Sequence, residues 1–243
     1  MSLLPSPNVA DWDSIADTYH DEVIGPFHPV GGRTALHDII DVLLPGAVVL
    51  DAGCGIGNLG RYSTARHLNT TVHGVDLSQR MLDAAKGGGY ASLTRSDIRK
   101  VPFASETFDI VVAVNSVMPD PIPGDSRLHV RETFAEFSRV CKTGGMVVCV
   151  LPSYDSLVEE EAAASISDRT PGRLLSDPHQ RVGDTGFGVA RCMHDAVTIT
   201  RELEEHNFDV VKLTPLQYSM LLAKLHDLRV RAWDWFVVAQ KRG

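Results

Sequence analysis

Three aspartates, each closing a short apolar or β-prone run, are the residues of this sequence best placed to do chemistry together. Asp51 ends Ala47-Val48-Val49-Leu50, Asp76 ends Thr71-Val72-His73-Gly74-Val75, and Asp97 follows Ala91-Ser92-Leu93-Thr94. After the first comes a glycine-rich turn, with Gly53, Gly55 and Gly57 at alternate positions. Glycine admits positive φ and lets a ligand reach the backbone, and a helix opening behind such a turn offers free N–H groups to a carboxylate or phosphate. Gly55 to Gly60 also satisfies G-x-G-x-x-G, the dinucleotide fingerprint. Asp51 argues against that reading, because a carboxylate at the mouth of the turn repels a pyrophosphate and suits an ammonium. Asp76 follows the turn by about 20 residues, where a carboxylate accepts from both ribose hydroxyls of either kind of cofactor. Asp97 can accept from an adenine amino group while the Ile98 N–H donates to the ring, and Leu77 and Met81 can flank the base. The plainer alternatives are an Asx turn for Asp97 and ordinary core for Leu77 and Met81.

Positioning these groups requires strands that deliver the acids to one edge. Runs at Ala47–Leu50, Thr71–Val75, Ala91–Thr94, Phe108–Val114 and Met146–Leu151 alternate with helical patterns, one of them capped by Ser78 and running through Lys86. Another carries Val130, Phe134, Phe137 and Cys141 on one face and ends near Lys142-Thr143-Gly144-Gly145. This alternation predicts right-handed βαβ units and a parallel sheet. Helical spacing at 11–23 and 33–44 predicts an N-terminal helical cap over 1–45. Towards the end, a helix with Ala196, Ile199 and Leu203 precedes strands at Phe208–Leu213 and Trp235–Ala239, expected to form an edge pair, with Trp233 and Trp235 on one face. Residues 153–192 break the alternation, opening with a polar helix at about Tyr154–Ser167 whose Glu159-Glu160-Glu161 reads as a solvated face. A long insertion after the fifth strand, over the carboxyl edge of the sheet, predicts a lid. The chain therefore reads as one domain, with 46–152 as its cofactor-binding core and 193–243 completing the sheet.

The strings LDAGCGIGNLG, GVDLSQRML, SDIRKVPFASETFDIVVAVNSV and RVCKTGGMVVCVLPS, in this order over about 48–152, resemble the class I S-adenosylmethionine-dependent methyltransferase family, in particular its small-molecule branch. The segment from Trp12 to Tyr19 resembles that family's N-terminal helix, and Asp234 to Lys241 its last strand. The resemblance implies an α/β, Rossmann-like fold: a seven-stranded, mostly parallel sheet with an antiparallel last strand and helices on both faces. It implies S-adenosyl-L-methionine as cofactor and S-adenosyl-L-homocysteine as product. Asp51, Gly53, Gly55 and Gly57 would hold the methionine end, Asp76 the ribose, and Asp97 with Ile98 the adenine. Asn115 would bring its backbone near the methionine moiety, and Tyr19 would close over the cofactor. Asn115-Ser116-Val117-Met118-Pro119 departs from the Asn-Pro-Pro-Tyr signature of amino-group methylases that act on nucleic acids and proteins.

Methyl transfer from a sulfonium is an in-line displacement governed by positioning and by exclusion of water. A general base is needed only where the acceptor must lose a proton. His20, His28 and His179 are the candidates in the cap and insertion, with His129, His194 and Asp120 beside them. Phe27, Tyr154, Phe187 and Tyr218 are candidates to shape an acceptor pocket. Thirty-one acidic against 23 basic residues give a net charge of −8, a surface that repels phosphate backbones and anionic lipid. A small-molecule acceptor is therefore expected, rather than a nucleic acid or a membrane. The four cysteines form no CxxC pair, so no metal is expected, and Cys141 and Cys149 read as small core hydrophobes. With no basic, apolar leader and no membrane-length apolar run, the sequence leads to the expectation of a cytoplasmic protein. An RNA or protein methyltransferase of the same fold, a nicotinamide dehydrogenase, and a non-catalytic module that binds the cofactor are the alternatives weighed.

Overall fold

Val48–Ala52 (β1) is apolar at nearly every position because it is buried on both faces, as a central parallel strand must be. The computed structural model describes residues 12–13, 16, 34–119, 124–166, 175–177, 181–184, 190–217 and 233–243. After Ala35–Ile40 (α1), β1 is followed by Asn58–Ala65 (α2), Thr71–Asp76 (β2), Gln79–Ala85 (α3) and Ser92–Arg95 (β3). Phe108–Val114 (β4), Leu128–Val140 (α4) and Cys141–Pro152 (β5) complete the parallel part. Tyr154–Ile166 (α5) then leads to Leu175–Asp177 (β6), Val182–Asp184 (β7) and Ala190–Cys192 (β8). Ala196–Glu205 (α6), Phe208–Gln217 (β9) and Trp233–Lys241 (β10) close the chain.

The main sheet has seven strands in the order β3-β2-β1-β4-β5-β10-β9. β1 pairs in parallel with β2 and β4, β2 with β3, and β4 with β5, while β10 is antiparallel to both of its neighbours. This is the expected Rossmann-like architecture. β9 and β10 form the expected edge pair, with β10 between β5 and β9 and β9 outermost.

Period-two alternation sorts each central strand between two cores. Leu50, Ala52, Val111, Ala113, Val147, Cys149 and Leu151 join Val130, Phe134 and Phe137 of α4 and Ile199 and Leu203 of α6. Val49, Ile110, Val112, Val148 and Val150 join Leu36 and Ile39 of α1 and Leu59 of α2. Cys141 does belong to the core, but it is the first residue of β5 and pairs with Phe108, so α4 ends one residue earlier than its apolar spacing suggests. Ser78 caps α3, its hydroxyl accepting from the Met81 N–H at 3.1 Å. The rings of Trp233 and Trp235 meet edge to face at 4.9 Å.

The insertion opens with the expected helix and then forms a second sheet, β6-β7-β8, that no periodicity announced. β8 is stitched to the carboxyl edge of the main sheet. The Cys192 N–H donates to the Pro119 carbonyl at 3.0 Å and the His194 N–H to the Pro152 carbonyl at 2.9 Å. Below it, Arg127 holds Glu202 through two bonds of 2.5 and 2.6 Å and donates to the Met193 carbonyl at 2.6 Å. A buried pair of this kind is costly to break from one side, since the abandoned charge stays out of water. Glu202→Ala is expected to lower the unfolding free energy by about 3–5 kcal/mol. Urea denaturation would measure this, and Arg127→Met combined with Glu202→Leu should restore most of the loss.

Candidate active site

A single turn brings the first two strands' chemistry together. The Gly53 and Cys54 N–H groups both donate to the Val75 carbonyl, at 2.8 and 2.9 Å, which locks the glycine turn onto the end of β2. Gly53 has φ of 78°, and a Cβ there would collide with the Ser116 side chain, so only glycine lets the turn reach the chain leaving β4. Asp76 completes the lock: Oδ2 accepts from the Gly55 N–H and Oδ1 from the Ser78 N–H, both at 2.9 Å. Burial raises its pKa, opposed by these backbone donors.

A cavity opens above this turn and runs along the carboxyl ends of the parallel strands. Gly53 and Gly55 line it after β1, and Asp76, Leu77 and Met81 after β2. Asp97 and Ile98 line it after β3 and Asn115 after β4. These eight sequence-predicted residues therefore share one surface. Trp12 lines it too and packs with Ala16, Ile56 and Met81. The hydroxyl of Ser78 donates to Asp13, fastening that segment down.

Two predicted residues stand elsewhere. Asp51 is not on the cavity wall. It is 4% exposed and accepts from the Tyr90 hydroxyl at 2.6 Å. Gly57 is not on it either: a Cβ there would meet Ala85 and the Tyr90 ring at 2.9 to 3.1 Å. Gly60 and Gly74 face the same ring, which leaves no room for a side chain at either position, and the Gly60 N–H donates to the Tyr90 hydroxyl at 3.2 Å. Three glycines of this region thus make room for a tyrosine rather than for a ligand. Gly87-Gly88-Gly89 immediately before Tyr90 was the available signal. Tyr19, His20, His28 and His179 lie outside the described residues, as do Phe27, Asp120, Phe187 and Tyr218.

Among the other histidines, His194 is fully buried, with Nε2 2.6 Å from the Val117 carbonyl and Nδ1 3.2 Å from Arg127. Burial and Arg127 push its pKa down to about 3, so it is a neutral structural group. His129 does line the cavity, and burial followed by the Arg99 charge lowers its pKa. The spacing missed Arg99, which grips both oxygens of Asp97 at 2.5 to 3.0 Å. It also missed Ser116, Met118, Pro119, Thr133 and Arg191. Asp97-x-Arg99 carried a local hint; Arg191 carried none, because its position depends on the insertion's own sheet.

Residues 49–145 match the family model described as a methyltransferase domain. The chain is 35% identical over 128 residues to a phosphatidylethanolamine N-methyltransferase of Cereibacter sphaeroides, covering 49% of this chain and 55% of that protein. It is 34% identical over 133 residues to a malonyl-[acyl-carrier protein] O-methyltransferase of Enterobacter lignolyticus (strain SCF1), covering 54% of this chain and 49% of that one. The chain thus spans about half the length of these relatives. An S-adenosylmethionine-dependent methyltransferase structure from Methanosarcina mazei superposes with a TM-score of 0.61 at 17% identity, covering 84% of this chain and 97% of that one. Residues 49–145 thus match a methyltransferase domain, and the fold around them is that of S-adenosylmethionine-dependent methyltransferase structures.

The family's cofactor is S-adenosyl-L-methionine and its product S-adenosyl-L-homocysteine. The cavity described above suits that group. Gly55, at φ 50°, has open space where a side chain would stand. Each Asp76 oxygen has accepted one backbone donor and retains capacity for a second. The Asn115 Oδ1 is buried without a hydrogen-bond partner among the described residues, while Nδ2 donates to Asp234 at 3.0 Å.

Asp51 makes the cofactor-free fold sensitive to pH. Burial raises its pKa from 3.8 to about 7, opposed by the Tyr90 hydrogen bond and reinforced by the Asp76 charge. The folded chain then holds a proton that the unfolded chain releases near 3.8. Its contribution is fully present below 3.8 and is lost as pH rises through about 7. The expected outcome is that wild-type stability falls over this range by on the order of a few kcal/mol more than that of Asp51→Asn. Denaturation curves of both proteins at a series of pH values would measure the difference.

Proposed function

We propose that this protein transfers the methyl group of S-adenosyl-L-methionine to a small-molecule acceptor. The observation that carries the reading is the Asp76 carboxylate, held on the cavity wall by the two turns that Gly53 and Gly55 and Ser78 belong to. In this reading Asp76 accepts from the ribose hydroxyls. Gly53, Gly55 and Asn115 face the methionine portion, and Leu77, Met81 and Ile98 enclose the adenine. Asp97 and Arg99 act there as one neutralised pair, so the adenine edge meets Ile98 backbone as much as carboxylate. Asp51 and Gly57 shape the turn from behind, through Tyr90.

The cofactor brings an activated methyl group on a good leaving group. The protein's own work is then to align the acceptor and to keep water out. Trp12 and Met81 supply an apolar cover for this. Where the acceptor must lose a proton, His129 is the described cavity histidine, and its lowered pKa keeps it neutral and able to accept one at pH 7. A small acceptor is supported by the acidic net charge of −8 and by relatives named for phosphatidylethanolamine and for a malonyl group on a carrier protein. Among the described residues no helix is long and apolar enough to cross a membrane.

Asp76→Ala is expected to weaken S-adenosyl-L-homocysteine binding by at least about 1.5 kcal/mol, the value of charge-assisted hydrogen bonds. Calorimetry on the folded variant measures this; unchanged affinity would remove Asp76 from the ribose site. Partial deletion of 153–192 is expected to reduce turnover of an acceptor found by screening with methyl-labelled cofactor, while cofactor affinity changes little.

A further inference from the structure

Asp76 and Asp97 both line the cavity, yet they are held in opposite ways. Backbone N–H groups grip Asp76, so its charge stays on the carboxylate. A cation grips Asp97. Its Oδ1 accepts from the Arg99 backbone N–H at 2.9 Å and from Arg99 Nε at 3.0 Å. Its Oδ2 accepts from the same Nε at 3.0 Å and from Nη2 at 2.5 Å.

These contacts, all from one residue, occupy both lone-pair sites of Oδ1 and at least one of Oδ2. The charges of the pair also cancel at the end of the cavity after β3, so little of a charge-assisted acceptor is left there. Arg99 is itself on the lining. Its Nη1 lies 3.5 Å from Glu132 of α4, so an acid on either side holds the guanidinium between the loop after β3 and that helix. A guanidinium has five N–H donors in a planar fork. Asp97 takes the one on Nε and one on Nη2, and Glu132 can take one on Nη1, which leaves two for a ligand. The edge of a purine carries ring nitrogen acceptors as well as its exocyclic group, and a cation has use only for acceptors.

We propose that Arg99 sets the base specificity of the cofactor site: it withdraws Asp97 from the exocyclic amino group and donates instead to acceptor atoms of the purine. This rests on the methyltransferase reading above and deepens it at the adenine end of the same cavity. A purine with an oxygen in place of the amino group then fits as well, because the oxygen is one more acceptor.

The test compares two ligands of the wild type by calorimetry: S-adenosyl-L-homocysteine and S-inosyl-L-homocysteine, in which a carbonyl oxygen replaces the amino group. Their affinities should lie within about fivefold of one another. A carboxylate that received the amino group would disfavour the oxo compound by more than about tenfold. A wild-type preference for S-adenosyl-L-homocysteine above about fivefold therefore overturns the proposal whether or not any variant folds. In Arg99→Met, Asp97 is released to the amino group, and that preference should rise to at least about tenfold. Lost packing alone would weaken both ligands alike and leave their ratio unmoved. Adding Asp97→Ala to Arg99→Met should return the ratio to its wild-type value. A folded Arg99→Met protein with the wild-type ratio overturns the proposal, as does a folded double variant that keeps the gain. Wild-type protein that binds neither compound would instead bring down the methyltransferase reading itself.

Discussion

Asp76 accepts one backbone N–H from the turn after β1 and another from the cap of α3, and most of the cavity depends on that double attachment. Without it the loops after β1 and β2 would lose two of the hydrogen bonds that join them and lean on those to the Val75 carbonyl. With it, the loops present Gly53, Gly55 and Leu77 to one space. Burying a carboxylate is unfavourable unless its lone pairs are used, and backbone donors use them without spending a countercharge. The group keeps its negative field towards the cavity, where a ligand's hydroxyls can complete its coordination.

The neighbouring acid is treated differently. Asp51 closes the adjacent strand, yet its partner is the phenol of Tyr90, and the ring fills the space that Gly57, Gly60 and Gly74 leave open. The two acids repel one another across the turn, which contributes to the raised pKa of Asp51. One carboxylate is thus presented and its neighbour is held back as a buried, titratable support. The same Tyr90 hydroxyl accepts the Gly60 N–H, so one of the free donors at the start of α2 is satisfied by protein and not by ligand.

On the other side of the sheet, polar groups are buried to hold an insertion in place. Arg127 ties α6 to the segment after β8 through Glu202 and the Met193 carbonyl, and His194 bridges Arg127 to the Val117 carbonyl. Networks of this kind are worth having when every member is satisfied. Here the satisfied network fixes the register of a short strand against the loop after β4, and that register puts Arg191 on the cavity wall.

The amino-acid sequence by itself determined the parallel core and which loops line most of the cavity. Strands that must be buried on both faces are written as apolar runs, and the acids that follow them land on one edge because parallel strands all end there. Asp76, Leu77, Met81, Asp97 and Ile98 could therefore be named from position along the chain, and Asn115 from the family resemblance. What tertiary structure decided was orientation and partnership. That Asp51 turns to Tyr90, that Gly57 serves a ring, and that Asp97 is shared with Arg99 all depend on side chains meeting across elements. Arg191 shows the limit most sharply: its neighbours in sequence carry no periodic signal, and it reaches the cavity only because a second small sheet is pinned to the first by backbone hydrogen bonds. Periodicity encodes which face of an element is buried, whereas the contacts between elements far apart in the chain are settled only when the chain is packed.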